Sequence, residues 1–272
     1  METFNGKVVI ITGGAYGIGR ATALEFAKEG ASVTIADVDD DAGRKIEAEL
    51  GDIGNGCLLV QADVSRSDDC KKVVSETVTA FGGVDILFNN VGIQSPSSYL
   101  KLEDTPEDTW DRILDVNLKS CYLMSKYAIP EIRKRGGGAI INTASVQGLQ
   151  SQPLVPAYAA SKGGILSLTR NMALDYASEN IRVLAVCPGA IDTKMVRTAA
   201  GMEEGDPDET IAEWGESHPI GRIGQGVDIA NVVLFLASDK ASFMTGEYVN
   251  VDGGYMALGA WAGAAGKAAV DD

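Results

Sequence analysis

Histidine is almost missing from this sequence: His218 is the only one in 272 residues. Cysteine is sparse too, with Cys57, Cys70, Cys121 and Cys187 far apart, so no cluster has zinc or iron–sulfur spacing and no metal site is expected. Basic residues are in deficit: 23 Lys and Arg face 38 Asp and Glu, and the formal charge of -15 repels nucleic-acid phosphates and anionic lipid headgroups. Neither nucleic acid nor a membrane surface is an expected partner. Long apolar runs are lacking as well: the uncharged stretch Gly253 to Gly266 is glycine-rich and shorter than the about 20 apolar residues a bilayer span needs. The opening Met1-Glu2-Thr3 reaches a strand-like run by Lys7, which leaves no room for a secretion signal. A soluble, reduced, cytoplasmic protein is the expectation.

What is present is an ordinary globular mixture, 45% hydrophobic and 22% charged, whose 32 glycines have no triplet period. Short Val- and Ile-rich runs recur at Lys7-Thr12, Ser32-Asp37, Cys57-Ala62, Val84-Asn89, Gly138-Thr143, Ile181-Cys187 and Glu247-Val251. Each is followed by a longer segment of helical period, the rhythm of βαβ units on a parallel sheet. The runs are apolar without alternation, as strands covered on both faces are. Helices are placed at Ile18-Glu29, Asp40-Leu50, Ser67-Phe81, Pro106-Arg133, Ala157-Ser178, near Glu209-Trp214 and at Val227-Ala237. No linker divides the chain, so the reading is α/β: a single doubly wound domain over 1-255 with a seven-stranded parallel sheet and helices on both faces. Residues 193-222 break the rhythm and are read as a substrate lid, and 256-272 as an Ala/Gly-rich tail.

Strand one runs into Thr12-Gly13-Gly14-Ala15-Tyr16-Gly17-Ile18-Gly19 and then a helix. Glycines at this spacing, G-x-x-x-G-x-G, permit a tight turn and close approach of a diphosphate to the positive helix end, although such turns also arise from packing alone. Asp37, eighteen residues past Gly19, is placed to accept from an adenosine ribose hydroxyl and favours NAD as cofactor. A 2′-phosphate about 4 Å away would be repelled by roughly 1 to 4 kcal/mol per unit charge. Asp39 or Asp40 is expected to cap the next helix, and Arg20, the competing basic candidate, to face solvent. Asp63-Val64 can hold the adenine, and Asn89-Asn90-Val91-Gly92 brings polar and small residues to the same carboxyl edge.

Tyr158 and Lys162 stand four apart on a helical segment and so share one face. An ammonium there, with a positively charged nicotinamide ring, can lower a phenol by the about three pKa units that general-base work requires. Ser145, at the end of the fifth strand, can donate to the substrate oxygen. A Ser–His hydrolase would depend on His218, which has the look of a lid hinge, and no G-x-S-x-G elbow surrounds Ser145.

In this order Thr12-Gly13-x-x-x-Gly17-x-Gly19, Asp63, Asn89-Asn90-x-Gly92, Asn117, Ser145, Tyr158-x-x-x-Lys162, Pro188-Gly189 and Asp252-Gly253-Gly254 resemble the short-chain dehydrogenase/reductase family, in its branch of about 250 residues. The resemblance implies a Rossmann-type fold and NAD-dependent hydride transfer between nicotinamide and a secondary alcohol or ketone, a reaction at CH–OH groups. It makes Tyr158 the general acid/base, gives Lys162 the tasks of holding the nicotinamide ribose and tuning Tyr158, and leaves Ser145 as oxygen donor. Asn117 would distort its helix and hold a relay water. Cofactor contacts would come from Gly13, Tyr16, Gly17, Ile18, Gly19, Asp37, Asp63, Val64, Asn90, Gly92, Tyr158, Lys162, Pro188, Gly189, Ile191 and Thr193. Val91 replaces the commoner alanine of its motif, a small departure.

For the substrate, Gln94 and Gln147 offer hydrogen bonds beside Ser145 and Tyr158, and Met195 and Trp214 offer apolar walls. No Arg or Lys is seen aimed at the pocket, so a small neutral alcohol or ketone, cyclic or polyhydroxylated, is favoured. Family habit implies a homotetramer joined by the helices at Pro106-Arg133 and Ala157-Ser178. The alternative reading is a catalytically silent NAD-binding or redox-sensing protein, which the intact Ser145, Tyr158 and Lys162 argue against. An epimerase or dehydratase would need a further C-terminal domain.

Overall fold

Successive side chains of a strand point to opposite faces of its sheet, and β1 (Val8–Thr12) uses both. Val9 and Ile11 enter one core and Ile10 the other, so every residue of the strand is buried. The computed structural model describes residues 3–258. β1, β2 (Ser32–Asp37), β3 (Cys57–Gln61), β4 (Ile86–Asn89), β5 (Gly138–Thr143), β6 (Ile181–Pro188) and β7 (Tyr248–Val251) form a seven-stranded sheet in the order β3-β2-β1-β4-β5-β6-β7. Every neighbouring pair is parallel. The strand order reverses between β1 and β4, which opens a crevice at the carboxyl edge, where α/β sheets bind ligands.

One core lies beneath α1 (Gly17–Lys28), α2 (Asp40–Ile53) and α9 (Gly226–Ala237), through Phe26, Leu50 and Val233. The other lies beneath α3 (Ser67–Phe81), α5 (Ser120–Lys134) and α6 (Pro156–Tyr176), through Val73, Met124 and Met172. Asp39 caps α2 by accepting from the Ala42 amide at 3.1 Å. Among the described residues no helix is long and apolar enough to cross a membrane.

The helix expected over Pro106-Arg133 is broken. α4 (Glu107–Leu114) gives way to a π turn at Asp115–Lys119 before α5 begins. A π turn inserts an extra residue into the helical ladder, and this one carries the fully buried Asn117, whose side chain is spent outside the helix. The 193–222 segment is also more ordered than a loop: α7 (Lys194–Ala200), which the periodicity did not reveal, precedes α8 (Pro207–Glu216). Thr193 starts α7 by accepting from the Val196 amide. The terminal tail lies outside the described residues from 259 onward, and Tyr255–Leu258 forms a short helix, α10.

Candidate active site

A cavity of about 620 Å³ opens along the carboxyl edge above β1 and β4, between the glycine-rich loop and the 193–222 segment. Gly13, Tyr16, Gly17, Ile18, Asp37, Asp63, Val64, Asn90, Gly92, Gln94, Ser145, Tyr158, Lys162, Pro188, Gly189, Ile191, Thr193 and Met195 all line it. The sheet edge thus brings together most of the residues singled out in the sequence.

At the loop end the polar groups hold one another. The Thr12 hydroxyl accepts from the amides of Asn90 and Val91 at 3.0 and 3.2 Å, and the Asn90 side chain donates to the carbonyls of Thr12 and Gly13. Gly19 lies behind the wall, where a Cβ would stand 2.1 Å from the Gly13 carbonyl oxygen, so the α1 turn can press against the loop only as glycine. α1 begins at Tyr16 with no side-chain cap and no acid in its first turn, which leaves its N–H groups to an anionic ligand at the cavity wall. The Asp37 carboxylate accepts from the amides of Ala15 at 3.0 Å and Asp39 at 3.1 Å. Arg20 is paired with Glu49, and the Tyr16 hydroxyl donates to Asp39 at 2.7 Å. The uncapped helix end offers N–H donors and the acidic rim offers acceptors, a combination that fits a dinucleotide.

Asp63 is less free than expected. One carboxylate oxygen accepts from the amide and hydroxyl of Ser65, and the other meets Arg112 at 3.2 Å. Burial pushes its carboxyl up, but these bonds outweigh burial and hold it below the usual carboxylate range. Arg112 itself lines the cavity, as does Lys194, and neither was visible from sequence spacing. The expectation that no Arg or Lys faces the pocket is therefore corrected: α4 and α7 bring these two cations to it from remote parts of the chain.

The reacting end is built on β5 and α6. Ser145 is buried and lines the cavity, its hydroxyl oxygen accepting from the Gln147 amide at 3.1 Å. Lys162 is 2% exposed, donates to the Thr143 carbonyl at 2.7 Å and stands 5.5 Å from the centroid of the Tyr158 ring. Burial pulls the ammonium down to about 8. Burial pushes the Tyr158 phenol up to about 12, and the hydrogen bond to Ser145 offsets only part of that rise; the lowering expected from Lys162 together with a charged nicotinamide ring concerns the cofactor-bound site. Desolvation of the phenolate is the dominant cause.

Asn117 does not line the cavity, yet it ties the site together. Its side chain accepts from the Ile93 amide at 2.7 Å and donates to the Ile93 carbonyl and the Ser161 hydroxyl, each at 3.1 Å. Ser161 in turn donates to the Tyr158 carbonyl at 2.7 Å. The π turn therefore fixes both the strand-four loop and the α6 turn that bears the tyrosine. Ser161 sits inside the Tyr158-x-x-x-Lys162 motif, but only its contact with Asn117 reveals this task.

Two expected substrate contacts lie outside the wall. Gln147 is folded onto its own loop, accepting from the Gln152 amide at 2.9 Å and donating to the Gln152 side chain at 3.3 Å. Trp214 is half-buried on α8, away from the cavity lining. His218 is not a free hinge. It is buried, its Nδ1 lies 2.9 Å from the Trp214 carbonyl, its Nε2 accepts from the Ala190 amide at 3.3 Å, and its ring lies 5.4 Å from that of Tyr255. These bonds pin the end of the 193–222 segment to the turn after β6 and occupy both ring nitrogens.

A family model described as "Enoyl-(Acyl carrier protein) reductase" matches residues 13–256. The chain is 39% identical to an uncharacterized oxidoreductase of Thermotoga maritima over 94% of this chain and 99% of that protein. It is 40% identical to the cyclohexanol dehydrogenase of Acinetobacter sp. strain SE19, over 93% of this chain and 96% of that one. The solved structure of levodione reductase superposes with a TM-score of 0.89 at 35% identity, covering 93% of this chain and 99% of its own. With matches of this extent on a seven-stranded parallel sheet of this order, the chain belongs to the short-chain dehydrogenase/reductase family, oxidoreductases of alcohols and carbonyls.

Proposed function

We propose that the protein is an NAD(H)-dependent dehydrogenase of a small neutral secondary alcohol, or reductase of the matching ketone, with Tyr158 as general acid/base. The convergence of Ser145, Tyr158 and Lys162 on the cavity lined by the glycine loop carries this reading. Bound nicotinamide supplies the hydride acceptor in oxidation and the hydride donor in reduction. Ser145 donates to the substrate oxygen, and Tyr158 takes the hydroxyl proton while the carbinol hydrogen leaves as hydride. In reduction Tyr158 returns that proton to the oxygen, a task for which a phenol near 12 is already charged with its proton at neutral pH. For the base role, the Lys162 ammonium beside the Tyr158 ring favours the phenolate, and a positively charged cofactor ring adds to this.

NAD is favoured over NADP by the Asp37 and Asp39 carboxylates at the loop rim and by the loss of Arg20 to Glu49. Asp63 with Val64 walls the adenosine end; Gly92 with Lys162, then Pro188, Gly189, Ile191 and Thr193, wall the nicotinamide end. Substrate chemistry rests on Gln94 and Met195 in the wall, with Ile93 and Val196 adding apolar surface. A buried Gln94 amide nitrogen without a partner supports a ligand that carries an oxygen acceptor. An apolar wall with few polar anchors suits a ring, as in the substrate named for the cyclohexanol dehydrogenase relative. The 193–222 segment acts as the lid over this end. A homotetramer is supported by exposed apolar side chains such as Leu174, Phe235 and Phe243, and a monomer mass by light scattering at micromolar concentration would remove it.

The test is a panel of cyclic and linear secondary alcohols mixed with NAD or NADP at mildly alkaline pH, followed by reduced-nicotinamide absorbance. Turnover with NAD is expected. Tight NADH binding without turnover of any alcohol would instead favour a silent, cofactor-sensing protein.

A further inference from the structure

A dinucleotide carries a dianionic diphosphate into a chain of formal charge -15, so the cations that meet it are informative. Three basic side chains line the cavity: Arg112, Lys162 and Lys194. Arg112 is committed to Asp63 at 3.2 Å, and Lys162 is buried on the Thr143 carbonyl at 2.7 Å. The neighbouring lid cation Arg197 is held by Asp192 at 2.7 Å and by Asp208 at 3.1 Å. Lys194 is left without a carboxylate within ion-pair distance among the described residues. It is the first residue of α7, and its ammonium stands 5.4 Å from the centroid of the Tyr16 ring, on the loop that leads into α1. The two segments already touch beside it: a Cβ on Gly17 would meet the Thr193 methyl at 2.9 Å. Tyr16 is itself fixed, since its hydroxyl is held by Asp39.

Resting on the dinucleotide reading above, we propose that Lys194 is the lid's phosphate clamp, pairing with the cofactor diphosphate across the glycine-rich loop. Geometry supports this: the uncapped N-terminus of α1 meets a diphosphate from the sheet side, and Lys194 meets it from the lid side. Lys194 is exposed at the mouth, so its pull on an anion is salt-sensitive. The clamp is thus a positioning device for the cofactor and takes no part in proton or hydride transfer.

The experiment is calorimetric titration of wild type, Lys194→Ala and Lys194→Arg with NADH, ADP-ribose, adenosine and NADPH, at about 50 mM and about 500 mM NaCl. For Lys194→Ala a three- to tenfold loss is expected for NADH and ADP-ribose at low salt, shrinking at high salt, with adenosine unchanged and the arginine variant close to wild type. Equal affinities for ADP-ribose in wild type and Lys194→Ala would overturn the proposal, as would an equal loss for adenosine, which marks a structural defect. A loss confined to NADPH would also overturn it, by placing the lysine on a 2′-phosphate instead of the diphosphate. If wild type binds none of the dinucleotides, the nicotinamide reading itself falls; if wild type binds and the variant matches it, only the clamp falls.

Discussion

The two ends of the cavity follow opposite rules. At the glycine-loop end the Thr12 hydroxyl, the Asn90 amide and the Asp37 carboxylate all spend hydrogen bonds on backbone groups of neighbouring elements. At the other end the Gln94 amide nitrogen and the Thr143 hydroxyl are buried without any partner. A buried polar group left unpaired costs about 1 to 3 kcal/mol, so the first end is a finished frame and the second holds unsatisfied groups in reserve for a ligand. The difference suits the proposed placement of a dinucleotide at the first end and a substrate at the second.

The comparison breaks most sharply at the boundary between the ends, where Tyr158 stands. Tyr158→Phe removes the proposed proton carrier and leaves the loop end untouched, so kcat should fall on the order of 10³-fold while the NADH dissociation constant stays within about twofold. A variant that lost cofactor affinity as well would show that the two ends are not separately built. Stopped-flow turnover beside fluorescence titration of NADH measures both.

Lys162 tests whether the frame is strained where it meets the chemistry. Its folded value of about 8 lies below the ordinary 10.5, so between those values the unfolded chain holds more protons and stability rises with pH. Below about 8 the fold carries the full cost of a buried ammonium. Lys162→Met should therefore be inactive yet more stable at pH 7, by on the order of 2 kcal/mol or a Tm rise of roughly 5 °C, with the gain gone near pH 10.5. Scanning calorimetry at the two pH values decides it. A variant less stable at pH 7 would mean that the bond to the Thr143 carbonyl outweighs the burial cost.

How much of this was legible in the sequence depends on the range of the interaction. The Val- and Ile-rich runs announced the central strands because burial on both faces of a sheet leaves a local mark, although the edge strand β7 alternates exposed and half-buried residues; Tyr158 with Lys162 could be paired because four residues make a helical turn. Asn117 looked like a weak helix former, since its partners Ile93 and Ser161 lie 24 and 44 residues away and no local pattern encodes such bonds. Arg112 and Lys194 were invisible for the same reason: the crossover order of the sheet, and not chain proximity, brings α4 and α7 to one crevice. The task of His218 escapes local reading because the amide that donates to it, that of Ala190, lies 28 residues upstream.

At the loop end, the sharpest probe is charge at constant shape. Asp37→Asn keeps an acceptor for one of the two amides held by the carboxylate and removes the repulsion of a 2′-phosphate. The ratio of kcat/KM for NAD over NADP should fall by roughly 10- to 30-fold, within the 1 to 4 kcal/mol of a charge about 4 Å away. An unchanged ratio would shift the selection to Asp39, held at the same rim by Tyr16.

The smallest expected effect bears most directly on the contrast between paired and unpaired groups. Gln94 and Gln147 look equivalent in sequence, each two residues past a motif, yet Gln147 closes onto Gln152 while Gln94 keeps its amide nitrogen unpaired in the cavity wall. The terminal torsion of a glutamine is broad, so its amide can turn toward a ligand without a change of rotamer in the rest of the chain. Gln94→Leu should therefore lower kcat/KM about three- to tenfold for a cyclic diol or hydroxyketone, the net worth of one hydrogen bond, and leave cyclohexanol within about twofold. Gln147→Leu should leave both substrates within about twofold. Equal losses for diol and simple alcohol in Gln94→Leu would assign the side chain to packing, and the reserve of unpaired groups at that end would then lie with the Thr143 hydroxyl alone.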